Sequence, residues 1–258
     1  MQDYAILCLA AFAAGMQNSL AGGGTLYTFP TLQRYLGDIM ANGTSTVALV
    51  PGSIAGAWGF RSEVRQTPRK ILLPLALPSL AGGVVGTLLV VKLPPSYFQA
   101  MVPWLILTAT LLFLFQPTIA RMSGSHDLSH EPRPVVFVAV VFFQFLVAIY
   151  GGYFGAGIGI LMLSSLSLMG LGNIHRVNAL KTVLAACINV MSVLVFWTDG
   201  YFDEPWIAWH FALPMMVTAI IGGYLGARMA RRMNRALLRW LIIAIGFCLA
   251  AYYFGKRA

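Results

Sequence analysis

The chain has 258 residues, 59% of them hydrophobic and only 10% charged, with a mean hydropathy of +0.77. A soluble domain is about a quarter charged, so this composition excludes a water-clad globule and reads as an integral membrane protein. The net charge of +9 sits in short basic clusters between apolar runs, the pattern that sets membrane topology, and no nucleic-acid partner is expected.

A membrane-spanning helix needs about 20 apolar residues, and ten segments are candidates. The first half offers residues 4–20, a short run at 25–36, then 41–60, 71–91 and 98–115. A polar stretch at 117–134 follows. The second half offers 135–150, a short run at 157–171, then 177–197, 206–227 and 237–254. Strand alternation is absent, which sets a β-barrel aside. Asp3 is the only charge at the N-terminus; without a basic leader, the first segment is expected to stay as a membrane helix. Cys8, Cys187 and Cys248 lie in apolar runs with neither disulfide nor metal spacing.

The two halves repeat. Asn42, Thr46 and Ser53 recur 136 residues on as Asn178, Thr182 and Asn189. Pro74 and Gly82-Gly83-Val84-Val85-Gly86 recur 140 residues on as Pro214 and Gly222-Gly223-Tyr224-Leu225-Gly226. Charge then orients the halves. Residues 61–70 hold Arg61, Arg65, Arg69 and Lys70 against Glu63, a cytoplasmic signature, whereas their equivalents at 199–204 are acidic. Conversely, 228–235 is strongly basic and its equivalent at 92–97 holds only Lys92. The halves are therefore expected to be oppositely oriented, with both termini outside and the linker inside, although Lys256 and Arg257 run against that placement. The expected fold is an all-α membrane protein of two inverted five-helix repeats, residues 1–116 and 135–258, joined by a cytoplasmic linker at 117–134. Ten helices cross in this reading; if the short segments are re-entrant, eight do.

Each half interrupts its apolar sequence with glycines: Gly22, Gly23 and Gly24 in the first, Gly151, Gly152, Gly155, Gly157 and Gly159 in the second. Glycine runs are poor helix interior and let backbone turn or approach a ligand. Broken helices at membrane depth survive only where protein or a wet cavity receives the freed backbone groups. A helix starting just after such a break aims unpaired N–H groups and its positive end at that cavity, which suits an anion. Close helix packing is the alternative use of these glycines. Beyond the breaks, Asn42, Thr46 and Ser53 share one helix face, as do Asn178, Thr182 and Asn189, and either a polar path or inter-helix hydrogen bonding accounts for them. Lys181 is the only basic residue well inside a long apolar run. A charge there costs about 2.5–3.5 kcal/mol, so it is assigned a task as the point charge for an anion, although it lies near enough to His175 and Arg176 to snorkel. Gln17 and Asn18, just before the first break, are within reach of the same cavity. The candidate substrate-binding residues are thus Lys181, Asn178, Thr182, Asn42, Thr46, Gln17, Asn189, Ser53, and the glycines Gly22, Gly23, Gly24, Gly155, Gly157 and Gly159.

Other features carry less. Gly82–Gly86 and Gly222–Gly226 read as helix contacts, Pro74 and Pro214 as kinks or first-turn residues, and His210 and Gln144 as hydrogen-bonded structure. His126 and His130 stand four apart in the polar linker, a poor setting for zinc, and no metal or other cofactor is expected. No phosphate-binding loop, nucleophile elbow or zinc-protease motif occurs.

Taken together, Ala21-Gly22-Gly23-Gly24-Thr25, a short segment with Pro30, and Asn42-x3-Thr46, repeated as Phe154-Gly-Ala-Gly-Ile-Gly and Asn178-x2-Lys181-Thr182, resemble the sulfite exporter TauE/SafE family of membrane transporters. The likeness covers nearly the whole chain, and Thr25 and Ile158 are its departures within the glycine motifs. It implies a bacterial inner-membrane transporter, not an enzyme, whose substrate is a small sulfur-containing anion such as sulfite or an organosulfonate. The expected function is export of such an anion by alternating access at a midplane site, with the potential, a proton or another ion as driving force. An anion channel, or a membrane-embedded enzyme or assembly factor, is the alternative.

Overall fold

The computed structural model describes residues 2–20, 22–122, 134–167, 169, 174–202, 205–229 and 235–255. Most of the linker, with His126 and His130, lies outside them, as do Asp203, Glu204, Arg231, Arg232, Lys256 and Arg257. The described residues are all-α. The helices are α1 (Gln2–Leu20), α2 (Thr25–Leu32), α3 (Asp38–Gly59), α4 (Arg61–Arg65), α5 (Arg69–Lys92), α6 (Pro95–Met122), α7 (Pro134–Tyr153), α8 (Ile158–Ser167), α9 (Ile174–Phe202), α10 (Trp209–Met229) and α11 (Arg235–Gly255). Prolines punctuate the starts: α5 follows Pro68, and α6 and α7 begin on Pro95 and Pro134, where a missing N–H has no cost.

Among the described residues, five helices are long and apolar enough to cross a membrane: α5, α7 and α10, residues Pro95–Phe115 of α6, and Arg176–Gly200 of α9. Their outward faces are apolar, with Leu73 and Leu77 of α5 and Leu213, Val217 and Ile221 of α10 exposed at four-residue spacing. In water that surface would aggregate; against lipid it is at home. The protein is a multi-pass membrane protein.

Small residues set how closely these helices approach. A Cβ on Gly86 would meet Ile149 O at 2.0 Å and one on Gly222 would meet Phe12 O at 2.1 Å, so α5 packs backbone-to-backbone on α7, and α10 does so on α1. The neighbouring glycines face the next helix in: Gly83 meets Ile188 of α9, and Gly223 meets Gly52 of α3. The glycine pairs in α5 and α10 are packing residues, as their spacing implied. The same exchange runs through the contacts: α1 lies on α10 and α7 on α5, α3 on α10 and α9 on α5, while α3 meets α9 and α6 meets α11. Swapping the halves leaves this set of partners unchanged. Gln144 donates to Ser79 Oγ at 2.9 Å across the α5–α7 contact. His210 is instead exposed at the start of α10, with its ring 4.1 Å from that of Phe211.

Side-chain partners show which ends lie together. Asp3 of α1 accepts from Tyr35 Oη at 2.7 Å, Tyr253 of α11 meets Gln33, and Lys92 of α5 pairs with Asp199 of α9. At the opposite end, Arg176 donates to Gln66 Oε1 from Nη2 at 2.9 Å, and Phe60, Val64, Ala179 and Ala227 cluster with Leu20. So α1 runs from the first end toward the second, and α2 returns to where α1 began. The helix α4 was not expected, and α9 continues as far as Phe202, past the end of the expected segment at 197 and into the acidic stretch at 199–204.

Candidate functional site

Both glycine runs break the helix as expected. Gly22, Gly23, Gly155 and Gly157 hold φ between +80° and +91°, a region favourable only to glycine. The second break is shorter than the sequence implied, because α7 continues through Gly151 and Gly152 to Tyr153. The breaks face each other: a Cβ on Gly22 would lie 2.8 Å from Gly159 Cα, and one on Gly155 would lie 3.4 Å from Thr25 Oγ1. From this meeting point α2 and α8 diverge, at about 12 and 15 Å long. Each covers half of a ~30 Å hydrocarbon core, and each presents its N-terminal, positive end to the junction.

A cavity of about 30 Å³ lies at that junction, room for about two waters. Thr46, Leu49 and Ser53 line it from α3, and Lys181, Thr182, Ala185 and Asn189 line it from α9. The breaks contribute Asn18, Gly22 and Thr25 from one half, and Gly151, Phe154, Gly155, Ile158 and Gly159 from the other. Lys181 is the only charged side chain in this lining. It is 1% exposed, and its Nζ donates to Asn18 O at 3.0 Å. It does not snorkel toward the lipid surface.

Of the candidate residues, the structure brings Lys181, Thr182, Thr46, Asn189, Ser53, Gly22, Gly155 and Gly159 to the cavity. The remainder build its walls. Asn42 Nδ2 donates to Tyr153 O at 3.1 Å, and Asn178 Nδ2 donates to Ser19 O at 2.9 Å. Each Asn thus holds the last turn of the other half's broken helix. Gln17 turns back to donate to Gly22 O at 3.1 Å, leaving the lining to Asn18. Gly23 is set against the Phe113 ring, Gly24 against Ala14 O, and Gly157 against Ala109. Thr46 and Thr182 also donate to Asn42 O and Asn178 O, each at 2.8 Å. Sequence reasoning missed Leu49 and Ala185, which complete an i, i+3, i+7 stripe with Thr46 and Ser53 and with Thr182 and Asn189; that spacing was readable. Phe154 and Ile158 gave no comparable signal. Among the described residues, no cluster of three or more His, Cys, Asp or Glu side chains is placed to hold a metal.

A family model described as sulfite exporter TauE/SafE matches residues 7–253. The chain belongs to the sulfite exporter TauE/SafE family. Relatives of this TauE/SafE chain include a Haemophilus influenzae protein named "Probable membrane transporter protein", 30% identical over 96% of this chain and 92% of its own length. A Sinorhizobium protein, "Probable membrane transporter protein ORF9", is 29% identical over 97% and 94%. The Escherichia coli K12 protein "Probable membrane transporter protein YfcA" is 25% identical over 95% and 87%.

Proposed function

We propose that this chain is a carrier that moves small sulfur-containing anions, such as sulfite or an organosulfonate, across a bacterial inner membrane. The observation that carries the reading is the cavity between the two glycine breaks, where Lys181 is 1% exposed. An ammonium, the Ser53 hydroxyl and the N-terminal ends of α2 and α8 together favour negative charge. Family membership supports the sulfur chemistry of the substrate. A cavity of about 30 Å³ is tight for an oxyanion the size of sulfite, so loading requires the walls to move, which suits alternating access better than a standing pore. The exchange of helix partners between halves supports an inverted repeat of residues 1–116 and 135–258 about a cytoplasmic linker at 117–134, the usual build of secondary carriers. Arg61, Arg65, Arg69, Lys70, Arg176 and Arg228 gather at one end, the cytoplasmic one by the positive-inside rule. The membrane potential then drives an anion outward by about 2.3 kcal/mol per charge per 100 mV.

The test is flux of labelled sulfite, thiosulfate, sulfate and taurine in proteoliposomes. Wild-type flux should saturate with at least one of them. A hydrogen bond to a charged group is worth about 1.5–3 kcal/mol, so Lys181→Ala should cut flux about 10- to 100-fold, with Lys181→Arg retaining more. Wild-type rates from a folded Lys181→Ala protein would overturn the assignment.

A further inference from the structure

The last turn of α1 is rich in oxygen and holds no carboxylate. Asn18 O receives Lys181 Nζ at 3.0 Å, and the next carbonyl, Ser19 O, receives Asn178 Nδ2 at 2.9 Å. Two further oxygens belong to side chains beside it, Gln17 of this turn and Asn178 of α9. Gln17 Oε1 and Asn178 Oδ1 are buried, their residues 2% and 4% exposed, and neither has a hydrogen-bond partner. Orphan acceptors at this depth cost free energy unless a cationic or hydrogen-bonding group serves them. The end of a broken helix also carries the negative pole of its dipole. In secondary carriers such ends, with their freed carbonyls, are where a sodium ion is coordinated. Here a side-chain ammonium stands on that carbonyl.

The other half shows the contrast. The residue 136 positions before Lys181 is Ser45, whose Oγ lies 2.6 Å from Thr28 Oγ1. The end of α7 is closed by neutral donors, with Thr87 Oγ1 on Gly152 O at 3.0 Å and Asn42 Nδ2 on Tyr153 O at 3.1 Å. Asn42 Oδ1 is unpartnered there as Asn178 Oδ1 is at the α1 end; the difference is that, of the two ends, the α1 end receives a formal positive charge.

We propose that the Lys181 ammonium fills a monovalent-cation position at the C-terminal end of α1, a tethered replacement for a coupling ion, so that this protein moves its anion without sodium. The consequence for transport rests on the carrier reading above; the cation position rests on the oxygens around α1 and is tested apart from it. Thermal unfolding of the purified protein is followed in sodium, potassium and choline chloride at equal ionic strength. The wild type should melt at the same temperature in all three. Lys181→Ser, which installs the residue of the other half, and Lys181→Ala should each gain a sodium-specific rise of about 3 °C or more, the size expected of an ion bound well above its Kd. Sodium-specific stabilisation of the wild type would overturn the proposal, and so would folded variants indifferent to sodium. Should neither variant fold, the wild-type comparison decides. In proteoliposomes, wild-type sulfite flux should agree within twofold between sodium and choline media. Sodium-dependent wild-type flux would sink this proposal while leaving the carrier reading intact. Absence of any anion flux would sink the carrier reading and leave the melting comparison to decide this one.

Discussion

Replacing Gly22 by alanine tests whether the two breaks are held face to face. Gly22 has φ +85°, and a Cβ there would sit 2.8 Å from Gly159 Cα and 2.9 Å from Gly159 N. The left-handed backbone costs an L-residue about 1–2 kcal/mol, and forcing a methyl into packed backbone costs about 1–3 kcal/mol more. Backbone cannot rotate away as a side chain does, so the two penalties add to about 2–5 kcal/mol. Gly155→Ala supplies the comparison. Its φ is +82°, but the nearest atoms to a new Cβ are Gly151 O at 3.3 Å and Thr25 Oγ1 at 3.4 Å, leaving mainly the backbone cost of about 1–2 kcal/mol. Gly37, with nothing within 4 Å and no positive φ, is the neutral control. At about 2–4 °C per kcal/mol for a chain of this size, thermal unfolding in detergent should fall by about 4–20 °C for Gly22→Ala, by about 2–8 °C for Gly155→Ala, and by less than about 2 °C for Gly37→Ala. A Gly22→Ala protein that melted with the wild type, or above Gly155→Ala, would refute the closeness of the breaks.

Asn42→Ala and Asn178→Ala each strip the donor from a buried helix-end carbonyl, at a cost of about 1–3 kcal/mol; each should lower the melting temperature by several degrees, and by similar amounts, because the two bonds occupy matching places. The Lys92–Asp199 pair has side chains 60% and 9% exposed, so Lys92→Ala should cost less than about 1 kcal/mol. Asp199→Ala should cost more in the same melting assay, since Asp199 also accepts from Trp206 Nε1 at 3.0 Å. With the native cysteines replaced, single cysteines at Arg34 and Pro205 should label from one side of the membrane with an impermeant maleimide and one at Arg65 from the other. Labelling of positions 65 and 205 from the same side would defeat the inverted arrangement.

Much of this architecture was legible because membrane residence enforces simple rules. Length and apolarity mark the five long spans found among the described residues. The glycine breaks were legible too, since a positive φ has few other tenants. What the sequence left open was which polar residues face the cavity and which hold its frame. Asn42 and Thr46 are one turn apart on the same face, yet the longer side chain reaches across to Tyr153 O while the shorter stays at the cavity. Gln17 and Asn18 are adjacent, and only the direction of the last turn of α1 decides that Asn18 lines the space. Such choices depend on where a partner carbonyl ends up in space, which periodicity does not carry. The extent of the second break was misjudged for a related reason: Gly151 and Gly152 remain in the helix, and Gly152 is a packing glycine, a Cβ there meeting Gly83 O at 2.4 Å.

The frame obeys the duplication and the charge does not. Asn42 and Asn178, Thr46 and Thr182, and the close-packed glycines of α5 and α10 are matched pairs, but the sequence counterpart of Lys181 in the first half is Ser45. A physical reason favours this break of symmetry. Two ammonium groups about 5 Å apart in so small a cavity would repel by on the order of 3 kcal/mol at an effective dielectric near 20. That penalty would come on top of a second insertion cost of about 2.5–3.5 kcal/mol. One ammonium, anchored on the α1 carbonyl, leaves the converging ends of α2 and α8 to supply further positive potential without another ion to desolvate. On the carrier reading proposed above, a single negative charge entering the cavity would meet a single fixed positive charge, and the loaded site would approach neutrality where a buried net charge is costly.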